Sequence, residues 1–382
     1  MLRFSWKSVE WPNSVFLIGT LFLTLTAVPA YLWHFGLRGF EVALFFFFFV
    51  TTGLSITLGY HRLFTHLTFR ARWPVRLVTL LFGAATFENS VLCWAADHRR
   101  HHKFVDHDDD PYNITKGFFH AHIGWMLFKP PQPASFEGVK DLEQDRLVRW
   151  QHEHYLVIAF LMGFGLPALL GGLCGGWRGA LGGFLIAGVA RVVFVNHMTF
   201  LINSYSHTWG RRPYSSRCTA RDSAVLAWFT FGEGYHNFHH EFQHDYRNGV
   251  KPWQFDPTKW CIWLLHRVGL ARHLRRVPAE RILLAEVEEQ QRQIAARLSA
   301  KPAPVAQPIH HMLQVAQQRW QQASRNWEQR KADYRRAVEM KMEASRERML
   351  EVRREFREAS VRLRAALRAW RAAQRRARAQ LI

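Results

Sequence analysis

Histidines recur in three short groups in the middle of this 382-residue chain: His61 and His66, then His98, His101 and His102, then His236, His239 and His240. Imidazole ligates iron, copper and zinc through a neutral ring nitrogen. Eight imidazoles in three clusters exceed what one tetrahedral zinc uses, so the pattern points to two metal ions. In the second group the first ring lies three and four residues from the other two, which on a helix places all three on one face, where they can converge on a metal. The third group repeats that spacing. His61 and His66 are five apart, which fits a helix that ends and unwinds there.

The elements that must position these rings read as membrane helices. Residues 14–35 and 40–60 are apolar runs long enough to cross a hydrocarbon core of about 30 Å, as are 155–176 and 180–202. The first pair is joined around Gly36 to Gly39, and the second turns in the Gly-rich stretch Gly171 to Gly179. Phe45 to Phe49 are five consecutive phenylalanines in a segment without charge between Glu41 and His61. A buried helix of a soluble protein normally keeps a polar face, so membrane crossing is the better reading. Apolar character continues through Trp33, which argues against a cleaved leader. The expected fold is an all-α integral membrane protein with four spans in two hairpins. A cytosolic helical cap of residues 61–154 and 208–280 would carry the histidines, within a domain of residues 1–280. Lys and Arg are dense in those cap segments and sparse in the hairpin turns, which places both termini and all three clusters in the cytoplasm.

The formal charge of +21 would suggest nucleic acid, but residues 301–382 hold 20 Lys and Arg against 8 Asp and Glu, so more than half of it lies in the tail and no nucleic-acid partner is expected. Cys93, Cys174, Cys218 and Cys261 are scattered, form no C-x-x-C pair and suit a reducing compartment.

With their flanking words, the clusters resemble the membrane fatty acyl desaturases, specifically the stearoyl-CoA desaturase branch, in a bacterial-type form. The matching stretches are Trp94-Ala-Ala-Asp97-His98-Arg-Arg-His-His-Lys-Phe104, Asp110-Pro-Tyr-Asn113, Asn203-Ser-Tyr-Ser-His207 and Gly232-Glu-Gly-Tyr-His-Asn-Phe-His-His240. The resemblance spans roughly residues 10–275. It implies a di-iron centre, adds His207 as a ninth histidine ligand and adds Asn203, reaching one metal through a water. Asp97, beside His98, is a candidate for orienting an imidazole, or a solvated helix carboxylate.

The implied reaction takes two external electrons and O2, removes two hydrogens from adjacent carbons of a long saturated acyl chain, and leaves a cis double bond near carbon nine. Zinc has no redox chemistry and cannot serve it, so the metal expectation is two Fe ions. A bacterial inner membrane is the expected location. In the resembling family the second span shapes the closed end of an acyl tunnel. Phe45 and Phe49 are candidates for shortening it, against ordinary packing aromatics, and Trp94 is a further tunnel candidate. Arg99, Arg100, Lys103 and Arg191 are candidates for the phosphates of a CoA head group, though positive-inside topology accounts for them equally. The chain carries no dinucleotide fingerprint, no iron–sulfur cysteine set and no His-Pro-Gly-Gly haem motif, so no bound nicotinamide, flavin or haem is expected. Electrons then come from a separate ferredoxin, rubredoxin or cytochrome-type donor.

The tail departs from the family. Residues 281–308 read as a linker with a Pro-rich hinge at Lys301 to Pro308, and 309–382 as one long basic helix. Leu313, Trp320, Trp327 and Tyr334 recur every seven residues. One residue out of phase, so do Met342, Met349, Phe356, Leu363 and Trp370. Homo-oligomerisation through a coiled coil and an Arg-rich helix lying on membrane lipid with its aromatics inserted are both open. For the whole chain, a membrane di-iron hydroxylase and a non-catalytic metal-binding scaffold stand as alternatives.

Overall fold

The computed structural model describes residues 6–129, 136–299, 303–339 and 346–380. The chain divides into two compact units, Met1–Arg212 with Ser216–Arg276, and Pro213–Ser215 with Val277–Ile382.

In the first unit, α1 (Trp11–Phe35) carries Pro12 in its opening turn, where a missing N–H costs nothing, and stops at Gly36 with φ 72°. α2 (Gly39–Leu54) runs on without interruption through wider turns from Ser55 to Thr65. Among the described residues, three helical stretches are long and apolar enough to cross a membrane: Trp11–Phe35, Gly39–Thr65 and the 53-residue Tyr155–His207. The third breaks at Gly175 and Gly176, the latter at φ 62°, and doubles back on itself. Its arms touch so closely that a Cβ on Gly171 would lie 2.1 Å from the Gly179 carbonyl oxygen, which only glycine permits. Tyr31 ties the hairpins together, its hydroxyl 2.5 Å from Glu41 Oε1 and 3.0 Å from the Arg178 carbonyl oxygen.

The helices that bear the histidines pack beside these stretches. α3 (Trp73–Ala84) leads into α4 (Val91–Phe104), whose N-terminus is capped by Ser90 accepting the Cys93 N–H. α5 (Arg191–Ser204) ends the doubled stretch, and α6 (His236–Glu241) and α7 (Pro257–Arg267) follow. Strands β1 (Arg70–Ala71) and β2 (Ala271–Arg272) pair antiparallel. Tyr60, Phe64, Leu80, Leu92, Val148 and Ile262 form the buried core beneath the site.

The second unit corrects the expectation of a linker and one long helix. Residues expected to link are helical as α8 (Ala279–Leu298), and the tail is two helices, α9 (Ala303–Glu339) and α10 (Arg346–Ala379). Pro308 lies inside α9 rather than in a hinge; Lys301, Pro302 and Met342 lie outside the described residues. α9 and α10 run antiparallel, with Trp320 against Trp370 at 5.1 Å and Tyr334 stacked on Phe356 at 5.5 Å. The two heptad registers therefore pack on each other within one chain. Trp370 is 1% exposed among Val287, Leu363 and Leu367, so the aromatic expected to seed self-association or enter lipid is already buried.

Candidate metal centre

Nine histidines converge in two sets. His61, His66, His98, His102 and His239 form one, and His101, His207, His236 and His240 the other, with the ligating nitrogens of each set all within 4.8 Å of one another. The sequence does not assign rings to metals, and in the structure neither cluster of three falls within one set. Each helix divides its rings: α4 gives the i,i+4 pair His98 and His102 to the first set and His101 to the second. α6 mirrors this, giving His236 and His240 to the second and His239 to the first. On each helix the pair four apart falls in one set and the intervening ring in the other.

His61 and His66 sit on the same side for a different reason. The helix does not unwind after His61; it widens, and the His66 N–H bonds to the His61 carbonyl five residues back. In such a turn residues five apart are neighbours. His207 enters from the short turn that follows α5.

Edge lengths within the sets fit a metal. Adjacent Nε2 atoms lie 3.0 Å apart for His61 and His239, 2.9 Å for His239 and His102, 3.2 Å for His102 and His98, and 3.1 Å for His98 and His66. In the second set His101 to His240, His240 to His236 and His236 to His207 measure 3.3, 3.0 and 3.1 Å. With metal–nitrogen bonds of about 2.1 Å, ligands at right angles stand roughly 3.0 Å apart. Burial, and then the neighbouring imidazoles, hold His66, His98, His102, His236, His239 and His240 well below the ordinary histidine value, so all are neutral near pH 7. Neutral lone pairs facing one another at 3 Å repel, and a cation relieves them.

Three of the opposite ring nitrogens stand against partners that sequence reasoning missed. Glu233 Oε2 lies 2.8 Å from His61 Nδ1, Asp110 Oδ1 lies 2.8 Å from His101 Nδ1, and Thr219 Oγ1 lies 2.7 Å from His207 Nδ1. A carboxylate on Nδ1 fixes the tautomer that turns Nε2 inward as a ligand. Burial raises the Glu233 and Asp110 carboxyls, but Arg62 and His61 outweigh it for Glu233, as His101 and the Tyr112 and Asp106 N–H groups do for Asp110, so both stay ionised. Asp97 does not take this part. It lines the adjoining cavity, no hydrogen bond joins it to a histidine among the described residues, and burial pushes its carboxyl up to about 6. Both carboxylate partners stood inside the matched words, yet no spacing rule singles them out.

A cavity of about 1290 Å³ opens onto both sets, with His61 and His98 from the first and His236 from the second in its wall. That exceeds the roughly 300–1,000 Å³ of most ligand pockets. Trp94 and Phe49 line it, as do Asn203 and Arg100. Trp94 stacks on His98 at 4.7 Å and donates its N–H to Glu88. Phe45 is displaced from the wall and packs on Phe49 and Phe194. Arg100 donates to the Asp109 carbonyl and carboxylate, and the other head-group candidates are engaged as well. Arg99 binds the carbonyls of Phe64, Thr65 and Gly138 together with Asp141, and Lys103 lies over the Phe104 ring. Arg191 is fully buried and donates to the carbonyls of Ala85, Gly163 and Ala187.

Acid should open the centre. The six shifted rings resist protonation when folded, whereas the unfolded chain takes up protons near the ordinary value of 6.5. Stability and metal retention are then complete above about pH 6.5 and fall as pH drops below it. Dialysis at about pH 5 is expected to strip metal that is retained at about pH 7.5, read by elemental analysis; equal retention at both would contradict the neutral-ring assignment.

Residues 39–264 match the Fatty acid desaturase family. The chain is 40% identical over 295 residues to Acyl-CoA desaturase 1 of Saccharomyces cerevisiae, covering 75% of this chain and 56% of that protein, so it spans little more than half the yeast relative's length. It is 35% identical over 242 residues to Stearoyl-CoA desaturase 2 of Mus musculus, covering 62% and 67%, and 35% identical over 238 residues to Acyl-CoA Delta-9 desaturase of Acheta domesticus, covering 60% and 66%.

Proposed function

Because the chain belongs to the fatty acid desaturase family, we propose that it is an O2-dependent acyl-CoA desaturase that introduces a cis double bond near carbon nine of a long saturated chain. The observation that carries this reading is a single large cavity bordered by histidines of both sets and by Phe49 and Phe231. The first set would hold one iron, and the second set the other, with Asn203 assisting through a water. Two irons held there would supply, with O2, two external electrons and two protons, the oxidising power to turn two adjacent methylenes into a double bond with release of two waters.

The chain's own residues bind and orient. Glu233, Asp110 and Thr219 stand against the Nδ1 atoms of His61, His101 and His207, so that their Nε2 atoms face inward. Trp94, fixed between Glu88 and His98, bounds the path of the acyl chain beside the first set. Arg100 is the head-group candidate that lines the cavity. The doubled Tyr155–His207 stretch supports four crossings in two hairpins, and the Lys and Arg of the cap segments support placing both termini and the site in the cytoplasm, at a bacterial inner membrane. A separate donor protein supplies the electrons. The names of the yeast, mouse and cricket relatives support the acyl-CoA substrate and the bond position.

The test is turnover of stearoyl-CoA by the iron-loaded chain with a reducing donor and O2. Loss of two hydrogens from the acyl chain is expected, and gain of one oxygen would instead make it a hydroxylase. Phe49 packs on Phe194 at 5.4 Å and Phe231 at 5.1 Å, so its ring bounds the space open to the chain. Phe49→Ala should shift preference to longer acyl chains by several-fold, the scale that a few methylenes command in an apolar pocket. An unchanged chain-length profile would remove Phe49 from the tunnel.

A further inference from the structure

Asp106 stands in the left-handed backbone region at φ 67°, which few residues other than glycine, asparagine and aspartate adopt. It touches no ring, yet it reaches both groups that stand against Nδ1 atoms of the second set. Its N–H donates to Asp110 Oδ2 at 3.2 Å, and the other Asp110 oxygen lies 2.8 Å from His101 Nδ1. Its carboxylate holds Thr219 from two sides, accepting the backbone N–H on Oδ2 at 2.7 Å and the hydroxyl on Oδ1 at 2.5 Å. Thr219 Oγ1 in turn lies 2.7 Å from His207 Nδ1. A left-handed residue persists where its surroundings hold it, here through three hydrogen bonds that all lead to one metal set.

The order of donors and acceptors follows from the groups themselves. A hydroxyl has one proton to give, and a carboxylate has none to return. The 2.5 Å separation falls in the range of a hydroxyl donating to a carboxylate, so the Thr219 proton goes to Asp106. Only the lone pairs of Oγ1 are then left for His207 Nδ1, and the ring must donate to them. A ring whose single proton sits on Nδ1 keeps its lone pair on Nε2. That Nε2 is the atom 3.1 Å from His236 Nε2, inside the set. Without Asp106 the Thr219 hydroxyl is as free to donate to His207 as to accept from it. Donation would put the ring proton on Nε2, against the ion.

We propose that Asp106 is a positioning residue of the second metal set. Through Thr219 it fixes the His207 tautomer that ligates, and through its own N–H it steadies Asp110 against His101. The proposal rests on the assignment of the second set to a metal ion and adds how that set is kept ready for it.

The test titrates ferrous iron into the metal-free full-length chain in detergent and records Mössbauer spectra of the loaded chain, which read the two ions separately. Asp106→Asn keeps the size and suits the left-handed backbone, but its amide accepts on one side only, so accepting the Thr219 N–H turns an NH2 onto Oγ1. It should weaken one ion of the two about tenfold, the lower end of the loss when a ligand's orienting partner is altered, and change that ion's spectrum. The other ion should keep its affinity and spectrum, and the metal-free chain its melting temperature. Thr219→Val, which removes the hydroxyl at nearly constant shape, should reproduce the selective loss, and Thr219→Ser, which restores the hydroxyl, should bind both ions as the wild type does. Equal weakening of both ions, full affinity in Asp106→Asn, or a Thr219→Ser protein as weak as Thr219→Val would overturn the proposal. A wild type that binds fewer than two ions would instead sink the two-set reading itself.

Discussion

His239→Ala is expected to lower bound iron from about two ions per chain to about one and to reduce desaturation by more than about 100-fold, beyond the cost of altering a ligand's orienting partner. His239 Nε2 stands 3.0 Å from that of His61 and 2.9 Å from that of His102, bridging the ring of the first set that comes from the long α2 stretch and one that comes from α4. Its loss leaves four nitrogens without their central link, while the second set keeps all four of its own. His240→Ala, one residue on, should spare the first set and empty the second, because its nitrogen is 3.3 Å from His101 and 3.0 Å from His236. Elemental analysis of the two purified variants distinguishes these outcomes. Loss of both ions from either variant, or of neither, would contradict the division into two sets.

The second large effect concerns charge rather than ligands. Arg62, 1% exposed, donates to Glu233 Oε1 at 2.8 Å, to Asp256 Oδ2 at 3.2 Å and to the Tyr246 carbonyl at 2.8 Å. Glu233 and Asp256 are themselves buried, and Asn248 holds the second Glu233 oxygen at 2.6 Å. Arg62→Met would fill much of the volume yet leave two buried carboxylates without their cation. Breaking such a pair costs about 3–5 kcal/mol. A markedly lower melting temperature is therefore expected. Iron affinity should fall with it, since Glu233 would no longer be held against His61 Nδ1. Adding Glu233→Gln to Arg62→Met should recover part of the loss by removing one unpaired charge. A melting temperature equal to wild type would show that water reaches these carboxylates and that the network does not carry the site.

Much of the site is legible in the order of residues, and the rest fails for identifiable reasons. Spacing of three and four marks His98, His101 and His102 as a cluster, but it does not say that the middle ring turns to a second ion. That depends on α6 facing α4 with the same pattern. His61 and His66 read as a broken helix because spacing by five has no place in an ordinary α-helix, and only the widened turns reconcile them. Positive charge near the clusters reads as a head-group site, yet Arg99 and Arg191 are spent on backbone carbonyls that helix ends and wide turns leave open. Glu233 and Asp110 lie three and nine residues from rings of their neighbouring clusters, and Glu233 serves His61, far away in sequence. In the tail, two heptad patterns out of register are equally consistent with two chains or one, and only the antiparallel packing of Trp320 on Trp370 decides for one.

The measurement that bears most directly on the central claim is fatty-acid analysis of cells that supply a donor and express either the wild type or His101→Ala. His101 joins the second set and is oriented by Asp110, so its loss disables the centre without touching the cavity's apolar wall. Monounsaturated chains with a cis bond near carbon nine should accumulate with the wild type and be absent with the variant. Hydroxylated chains, or the same monounsaturated chains from both proteins, would contradict a histidine-held centre that desaturates.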